Sequence, residues 1–405
     1  MRALVLAPQP FFSPRGTPFS VYYRTEVMAQ LGVSVDLLTY GTGQDVDLPG
    51  VRIIRLPRVP GMGEVRIGPS LRKLVLDVLM CFWTVALLLR HRYDFVHAHE
   101  ESVFWARALK PLFGFKLVYD MHSSLPQQLT NFRFTTSRLL IGLFRRLEAA
   151  ALAASDAVIT ICPDLAGYAV TQVRDPARHF LIENSIFDDV KLKGAPKPAP
   201  RDRPARRASG AVRTSGAIRL SELPPSRPLV VYAGTFETYQ GIELLLRAFA
   251  LVQARRPEAF LLLVGGRPEQ VTRYEALAGQ LGLAGHCWFT GRVEQALAKH
   301  YIAAAAVLTS PRTDGTNTPL KIYEQLASGV PLVATRIGSH TQVLDERVCE
   351  LVAPTPEEVA RGILTLLDDP GRRAEVVQAA LALYAERYAR PIYEAKMRQL
   401  LAVLA

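Results

Sequence analysis

Short apolar runs alternate with helix-length amphipathic stretches along most of the chain. The runs are rich in Val, Ile and Leu without strict polar alternation, which is typical of parallel strands covered by helices on both faces. In the first half the predicted strands are Arg2–Ala7, Ser34–Tyr40, Val51–Leu56, Phe95–His99, Lys116–Asp120, Ala157–Ile161 and His179–Ile182. In the second half they are Leu229–Ala233, Phe260–Val264, Cys287–Thr290, Ala305–Thr309, Pro331–Ala334 and Glu350–Val352. This alternation predicts an α/β protein of two doubly wound, Rossmann-like domains.

Capping residues mark two of the predicted helix starts. Thr17 precedes Pro18, and Thr355 precedes Pro356 with Glu358 three residues on. A Thr followed by Pro suits the first turn of a helix, and the later Glu completes the sequence of a capping box. We therefore expect helices to begin at these two points.

A stretch rich in Pro, Arg and Ala, residues 191–228, separates the predicted domains 1–190 and 229–388. It has no helical periodicity and cannot bury a core, so we interpret it as a solvated linker. Ten basic and two acidic side chains lie in it, so it supplies eight of the eleven net positive charges of the chain. Because it lacks the interleaved aromatic residues that stack on bases, no nucleic-acid partner is expected.

The remaining composition excludes several other classes of protein. A chain of 405 residues with 49% hydrophobic content can bury sizeable cores, which excludes wholesale disorder. Its four cysteines are widely spaced and form no CxxC pair, so neither a disulfide framework nor a zinc site is expected. The chain opens with a short apolar run that lacks the long core of a signal peptide, which favours a cytoplasmic location.

The densest polar chemistry lies in residues 307–335. A predicted strand gives way there to a polar turn and then to a helix from about Pro319 to Ser328. Lys321 and Glu324 share a face near the start of this helix. An ammonium suits phosphate oxygens, a carboxylate suits ribose hydroxyls, and free amides around Thr318 add an anion site. A surface ion pair is the ordinary alternative, but a position after a strand and a turn favours a ligand site.

Three features of the first half carry candidate chemistry. Gly16 precedes a predicted helix and would let backbone amides approach a diphosphate, although an ordinary turn explains it equally well. His122 follows a predicted strand end, where a lone histidine is more often a structural hydrogen-bonding group than a catalyst. His97 and His99 alternate along one strand, and we place them on opposite faces, partly buried and not sharing a metal.

Taken together, these motifs give a resemblance that extends over nearly the whole chain. It is carried by the loop around Gly16, HAHE at 97–100, YDMHSS at 119–124, ICPDLAGY at 161–168, ENS at 183–185, YAGTFETYQGIELLLRAF at 232–249, LLVGGRPE at 262–269, FTGRV at 289–293, the segment 310–329 and the closing ERYARPIYEAKMRQLL. The chain resembles the family 4 (group 1) retaining glycosyltransferases of the GT-B fold. The resemblance implies a nucleotide-sugar donor, no catalytic metal and a cleft between the two domains. It also implies a final helix, 389–405, that returns to the first domain with a kink at Pro391.

The resemblance gives four charged donor positions, of which one is matched in this chain and three have lost the charge. The second acidic position falls on Glu324, which would hold the donor ribose, whereas the first falls on Thr316, with Asp314 nearby. The family's phosphate-binding Arg and Lys positions fall on Thr235 and Gln240. We therefore expect the phosphate charge to be met elsewhere, by Lys321, Arg312 or Arg15.

The resemblance also implies the remaining site residues. The nucleobase is expected near Gly265, Gly266, Arg292 and Val293, and His122 is expected on the acceptor side, where it positions and stabilises the transferred sugar. The predicted donor-binding set is Gly16, Gly234, Thr235, Gly265, Arg292, Val293, Asp314, Thr316, Thr318, Lys321 and Glu324, and the predicted catalytic residues are His122 and Glu324.

Two apolar, Arg-flanked segments in the first half, 70–90 and 132–147, bear on the acceptor. The uncharged part of the first is too short to span a bilayer, and both have the character of helices that lie on anionic membranes. Ordinary packing helices explain both segments as well. A membrane-surface role would fit a lipid-linked acceptor.

The sequence therefore predicts transfer of a hexose from a UDP- or GDP-type donor to a glycan or lipid-linked acceptor. The alternatives are a non-catalytic sugar-nucleotide binder and a GT-B-fold epimerase, which would need a cleft richer in acidic residues and histidine. A dehydrogenase is disfavoured because no GxGxxG follows the first strand of either domain.

Overall fold

The computed structural model describes residues 1–13, 16–58, 71–124, 126, 137–187, 190, 216, 218 and 227–405. The chain divides into two compact units. The first contains Met1–Lys197 and Arg390–Ala405, and the second contains Pro198–Ala389. Most of the predicted linker, 191–228, lies outside the described residues.

The first unit is built on a parallel sheet of seven strands in the order β3-β2-β1-β4-β5-β6-β7. These strands are β1 Arg2–Ala7, β2 Ser34–Thr39, β3 Val51–Arg55, β4 Phe95–His99, β5 Lys116–Met121, β6 Ala157–Thr160 and β7 His179–Leu181. Its α-helices are Gly16–Gln30, Leu71–Arg90, Ser102–Phe113, Arg138–Ala154, Pro163–Val170 and Arg390–Leu404. Apolar side chains fill both faces of the sheet, so it is buried between two layers of helices.

The second unit repeats this plan with six parallel strands in the order β10-β9-β8-β11-β12-β13. The strands are β8 Leu229–Ala233, β9 Phe260–Val264, β10 Cys287–Gly291, β11 Val307–Ser310, β12 Leu332–Thr335 and β13 Glu350–Val352. Its α-helices are Ile242–Arg255, Pro268–Gln280, Gln295–Ala303, Leu320–Ala327, Gly338–Thr341, Pro356–Asp368 and Pro370–Arg387. Two apolar clusters again cover the two faces of the sheet.

Every strand predicted from the sequence is present, with bounds that differ by no more than two residues. The apolar runs were diagnostic because both faces of each sheet are buried. The strand residues Leu4, Val5, Leu261 and Leu262 are fully buried although they point alternately to opposite faces. The predicted architecture of two doubly wound domains is therefore confirmed.

The helix ends follow local capping chemistry with two departures from the prediction. The Thr355 hydroxyl accepts a hydrogen bond from the Glu358 amide, as predicted. The first helix starts at Gly16, so Thr17 lies within it and does not cap it. The predicted closing helix, 389–405, runs from Arg390 to Leu404, but Pro391 lies in its first turn, where proline is tolerated, and not at a kink; the preceding helix ends at Arg387.

Candidate functional site

The order of strands in the second unit reverses between β8 and β11, so their carboxyl ends flank a topological switch point. In open α/β sheets, this is where ligands bind. Gly234 follows β8, and the polar segment 311–319 follows β11 and leads into the helix Leu320–Ala327. The fold therefore brings the predicted donor-binding segments to the edge of the sheet at which a nucleotide would be expected.

Glycines bring three neighbouring strand ends close together at this edge. Gly265, after β9, has a φ of +121°, and a Cβ added there would lie 1.9 Å from the carbonyl oxygen of Gly234. The Gly265 amide donates to the carbonyl of Gly291 at 2.9 Å. Arg292 and Val293, the predicted nucleobase contacts, directly follow Gly291. Backbone atoms of glycines, not covered by side chains, therefore line the ends of β8, β9 and β10.

The Lys321 ammonium lies directly beside this backbone. Its Nζ donates to Oε1 of Gln240 at 3.3 Å and lies 4.2 Å from the ring centroid of Tyr232. A Cβ added to Gly234 would be 3.6 Å from the same nitrogen. Gln240 stands where the resemblance places a phosphate-binding lysine. The ammonium of Lys321 lies beside the Gln240 side chain and brings a positive charge to the same region.

Arg312 adds a second cation to the same region. Its guanidinium stacks over the ring of Tyr239 and donates to the carbonyl of Asn317 at 3.1 Å. Its Nε is buried and has no hydrogen-bond partner among the described residues, and the same holds for the Thr318 hydroxyl. Within the described part of the chain, neither Lys321 nor Arg312 forms an ion pair.

The pKa shifts express the cost of these unpaired cations. Burial, with a smaller contribution from the charge of Arg312, lowers the pKa of Lys321 to about 7. Burial also lowers the pKa of Arg312. Burial together with these two cations lowers the pKa of the neighbouring His340 to about 4, although a hydrogen bond to Thr335 opposes the shift. A positive, partly desolvated site of this kind is suited to an anion.

The loops of this site are packed closely at Gly241. With a φ of +73°, Gly241 lies so close to β11 that a Cβ would be 1.9 Å from the Pro311 carbonyl oxygen. We expect Gly241→Ala to lower the free energy of unfolding by about 2 to 4 kcal/mol, since it combines a left-handed conformation with a backbone clash. Chemical denaturation would measure this loss, with Gly279→Ala as a control in an open helical position. Equal stability of the two variants would contradict the packing described here.

A second cluster of polar side chains is fully buried in the first unit, at the ends of β4 and β5. The carboxylate of Asp120 contacts Nε2 of His97 at 2.9 Å, Nε2 of His122 at 3.3 Å and Nδ1 of His99 at 3.6 Å. Nδ1 of His99 and Nε2 of His122 are 3.0 Å apart. Nε of Arg24 donates to the same carboxylate at 2.8 Å. His122 is therefore one member of a hydrogen-bonded network.

The prediction that His97 and His99 lie on opposite faces of their strand is wrong. Residues two apart in a strand share a face, and only Ala98 between them points the other way. The two rings stack with centroids 4.7 Å apart. Nitrogen and oxygen atoms of His97, His99 and Asp120 lie within 4.8 Å of one another, a spacing that a metal ion could bridge. However, Arg24 donates to the shared oxygen of Asp120 and carries a permanent charge that would repel a cation there.

Two family models match the chain and together cover most of both units. The model described as "Glycosyl transferase 4-like domain" matches residues 20–185, and the model described as "Glycosyl transferases group 1" matches residues 227–369. The chain belongs to the group 1 glycosyltransferases. It is thus an enzyme that transfers glycosyl groups.

Similar proteins extend the likeness over the full length of this glycosyltransferase. The phosphatidyl-myo-inositol mannosyltransferase of Mycobacterium tuberculosis is 25% identical over 94% of this chain and 92% of its own length. The sucrose-phosphate synthase of Thermosynechococcus elongatus superposes with a TM-score of 0.71 at 20% identity, covering 99% of this chain and 98% of its own. Anabaena HepE, solved with UDP-glucose, superposes with a TM-score of 0.68 at 14% identity, covering 99% of both chains. These structures confirm the GT-B fold.

The predicted site residues of the glycosyltransferase fall into three groups in the structure. Gly234, Gly265 and Lys321 lie close together, as described above. Asp314 and Thr316 are exposed, and each has a hydrogen-bond partner. The Asp314 carboxylate accepts from the Gly315 amide, and the Thr316 carbonyl accepts from Gln342. Asp314, the predicted substitute for the acidic residue missing at Thr316, therefore uses its carboxylate in a hydrogen bond to the next residue.

The remaining predicted residues differ in their exposure to solvent. Thr235 and Arg292 are exposed, and Glu324 is half-buried. Gly16 is the first residue of its helix, and a Cβ added there meets nothing within 4 Å, so packing does not require glycine at this position. Arg15, one of the predicted alternative cations, lies outside the described residues.

The network around His122 in the first unit was not predicted from the sequence. Asp120, Arg24 and Tyr393 were not singled out, although a His-x-His strand beside a strand ending in Asp-x-His is a visible signal. Histidines two apart share a strand face, and the register of the parallel strands pairs His99 with Asp120. Correct use of this periodicity would have found the histidine–aspartate part of the network.

Proposed function

We propose that this glycosyltransferase transfers a hexosyl group from a nucleotide diphosphate sugar, with retention of configuration and without a catalytic metal. The acceptor is a glycan or a lipid-linked molecule. The observation that carries the proposal is the pair of partly buried cations, Lys321 and Arg312, at the topological switch point of the second unit. A pair of desolvated positive charges costs stability in the free protein, and a bound diphosphate would offset that cost.

The donor is assigned to this site group by group. Lys321 and Arg312 bind the diphosphate together with the amides near Gly234 and Thr318, and Glu324 accepts hydrogen bonds from the ribose. The base lies against the backbone near Gly265, with Arg292 and Val293 beside it. HepE was solved with UDP-glucose, and the mycobacterial relative is named as a mannosyltransferase. These names favour a hexose on a UDP- or GDP-type donor.

In the proposed reaction, the bond between the sugar's anomeric carbon and the diphosphate breaks, and the diphosphate leaves with the bonding electrons. The acceptor oxygen forms the new bond on the same face of the sugar, and its proton passes to the leaving phosphate oxygen. Lys321, Arg312 and backbone amides stabilise the developing negative charge. His122 positions the transferred sugar on the acceptor side.

Donor hydrolysis provides a direct test because glycosyltransferases slowly hydrolyse their donor when no acceptor is present. The purified full-length protein would be incubated with UDP-glucose, UDP-galactose, UDP-N-acetylglucosamine, GDP-mannose and ADP-glucose. Release of the nucleoside diphosphate from one of these donors, sensitive to Lys321→Met, supports the proposal. Absence of release from all five, together with no binding of UDP or GDP, contradicts it.

The surface of the first unit supports a membrane-proximal acceptor. Leu74, Val75, Val78, Phe82 and Leu89 of the helix Leu71–Arg90 are exposed and fall within about 100° of the helix circumference. Leu139 and Leu143 of the helix Arg138–Ala154 are exposed as well. Among the described residues, no helix combines the length and apolarity needed to cross a bilayer. We propose that these two helices rest on an anionic membrane surface.

Vesicle flotation tests the membrane surface. Phe82→Ser combined with Leu89→Ser is expected to weaken binding to phosphatidylglycerol-containing vesicles at least about 100-fold, because each exposed apolar side chain contributes roughly 1.5 to 2 kcal/mol on insertion. The double variant Leu251→Ser, Leu381→Ser removes exposed apolar side chains from the second unit and serves as the control. Failure of the wild type to float, or equal loss in both double variants, contradicts this surface.

A further inference from the structure

The buried network of the first unit joins four segments that are distant in sequence. Arg24 comes from the first helix, His97 and His99 from β4, Asp120 from β5, and Tyr393 from the helix Arg390–Leu404. Arg24, His97, His99 and Asp120 have no solvent exposure, and Tyr393 is 5% exposed. Charged groups in such a place require compensation from their neighbours.

Arg24 joins its own helix to two of these segments and to the residue after β7, with three separate donors. Nε donates to Asp120, Nη1 to the Tyr393 hydroxyl and Nη2 to the carbonyl of Ile182, each at 2.8 Å. Burial opposes the charge of Arg24, but Asp120 and Tyr393 outweigh it and keep its pKa above the ordinary value. The guanidinium is therefore fixed in one orientation and always charged.

The fixed guanidinium in turn determines the state of Asp120. Burial alone would raise the pKa of this carboxyl, but the charge of Arg24 and a hydrogen bond from His97 hold it well below the ordinary range. Asp120 is therefore ionised two residues before His122. Its Oδ1, which has no hydrogen-bond partner among the described residues, lies 3.3 Å from Nε2 of His122, and the same nitrogen is 3.0 Å from Nδ1 of His99. Burial lowers the pKa of His122, although Asp120 and Glu100 oppose the shift, so the imidazole is neutral at neutral pH.

We propose that Asp120 is a positioning residue for His122 and that Tyr393 of the closing helix, acting through Arg24, holds Asp120 in place. This proposal rests on the acceptor-side role of His122 in the proposed function. A neutral imidazole has two tautomers and can rotate, and a fixed carboxylate beside it selects one arrangement.

Some buried polar atoms of the network have no hydrogen-bond partner among the described residues, which argues that the network has a role beyond stability. Nδ1 of His97 and Nε2 of His99 are buried and lack hydrogen-bond partners among the described residues. A well-packed apolar core would be at least as stable as such a cluster, since buried polar atoms without partners cost free energy. Its geometry instead serves to orient the ring of His122 at the end of β5.

The sharpest test is Tyr393→Phe, which removes one hydroxyl and keeps the ring. We expect kcat for donor hydrolysis, and for transfer once an acceptor is known, to fall about fivefold with the donor KM unchanged, the effect of one lost hydrogen bond. Tyr93→Phe is the matched control, since the Tyr93 hydroxyl donates to Asp36 at 2.7 Å elsewhere in the same unit. Asp120→Asn should lower kcat further, about 30-fold, because the ionised acceptor is replaced by a neutral amide.

A second readout does not depend on turnover. In ¹⁵N spectra of histidine side chains, the signals that vanish in His122→Asn report the tautomer of His122. We expect one tautomer in the wild type and in Tyr93→Phe, and a changed shift or a mixture in Tyr393→Phe. His122 signals and kcat that respond equally to the two tyrosine variants overturn the proposal, even if Asp120→Asn fails to fold. A wild type without turnover contradicts only the proposed function, because the spectra still decide the positioning role.

Discussion

Lys321→Met is expected to weaken the binding of UDP and GDP about 100-fold while raising the melting temperature of the ligand-free protein. The loss of affinity follows because a charge-assisted contact to phosphate contributes on the order of 1.5 to 3 kcal/mol, more when it is partly desolvated. The gain in stability follows because the substitution removes a cation that burial disfavours and that no ion pair among the described residues compensates. Isothermal titration calorimetry and thermal denaturation measure the two effects.

The pH dependence of binding has a definite sign. With a pKa of about 7 in the free protein, Lys321 loses its proton as the pH rises through neutrality. A diphosphate favours the charged form, so binding takes up a proton above pH 7 and affinity for UDP-glucose or GDP-mannose falls toward pH 9, by up to about tenfold per pH unit. Calorimetry in buffers of different ionisation enthalpy would detect the proton, and Lys321→Met should abolish its uptake.

The stability of the free protein should change with pH in the opposite direction. Between pH 7 and the ordinary lysine value of 10.5, the unfolded chain binds a proton at position 321 that the folded protein does not. The contribution of Lys321 to the free energy of unfolding therefore rises with pH across that window. Below pH 7, where Lys321 is charged in both states, its destabilising effect is complete. Lys299→Met, in a neighbouring helix, is the control. If both lysine variants bind UDP like the wild type, the anion site is refuted.

Glu324→Ala is expected to reduce kcat/KM for the donor about 100-fold, since a carboxylate that accepts two ribose hydroxyls provides roughly 3 kcal/mol of binding. The folded state should survive because Glu324 is half-buried near the start of a helix and outside the apolar clusters. Steady-state donor hydrolysis measures the loss, and circular dichroism checks folding. Glu357→Ala, which removes an exposed carboxylate of the same unit, is the control.

A 2′-deoxyribose donor refines the Glu324 test. If the carboxylate binds the ribose, loss of the 2′-hydroxyl should cost the wild type more than it costs Glu324→Ala, because the variant has already lost the acceptor. Unchanged turnover of a well-folded Glu324→Ala protein removes this residue from the donor site.

The fold could be predicted from sequence because buried parallel strands carry a strong signal. Runs such as Leu229–Ala233 are apolar on both faces, and no alternative element explains so many short runs at regular spacing. The position of the proposed donor site was partly predictable for a related reason. The helix with Lys321 and Glu324 follows a strand and a turn, and the strand order then places its start at the switch point.

The sequence could not predict contacts made by side chains that are distant along the chain. Gln240 and Lys321 are 81 residues apart, and only the fold shows that the ammonium lies beside the vacated lysine position. Arg24 and Tyr393 are separated by 369 residues, and no local pattern connects them. The wrong prediction that His97 and His99 lie on opposite faces of their strand has a different origin. The two-residue period of a strand is sufficient to place them on the same face.

The first unit is not a continuous stretch of chain, since its last helix is supplied by residues that follow the second unit. Tyr393, Met397, Leu400 and Leu404 of that helix are buried in the same cluster as Val5 and Val118 of the first sheet. A fragment that stops before residue 390 would leave part of this side of the sheet uncovered and Arg24 without its tyrosine. Dissecting the enzyme into autonomous halves therefore calls for grafting the terminal helix onto the amino-terminal piece, or for rejoining the chain in circularly permuted order.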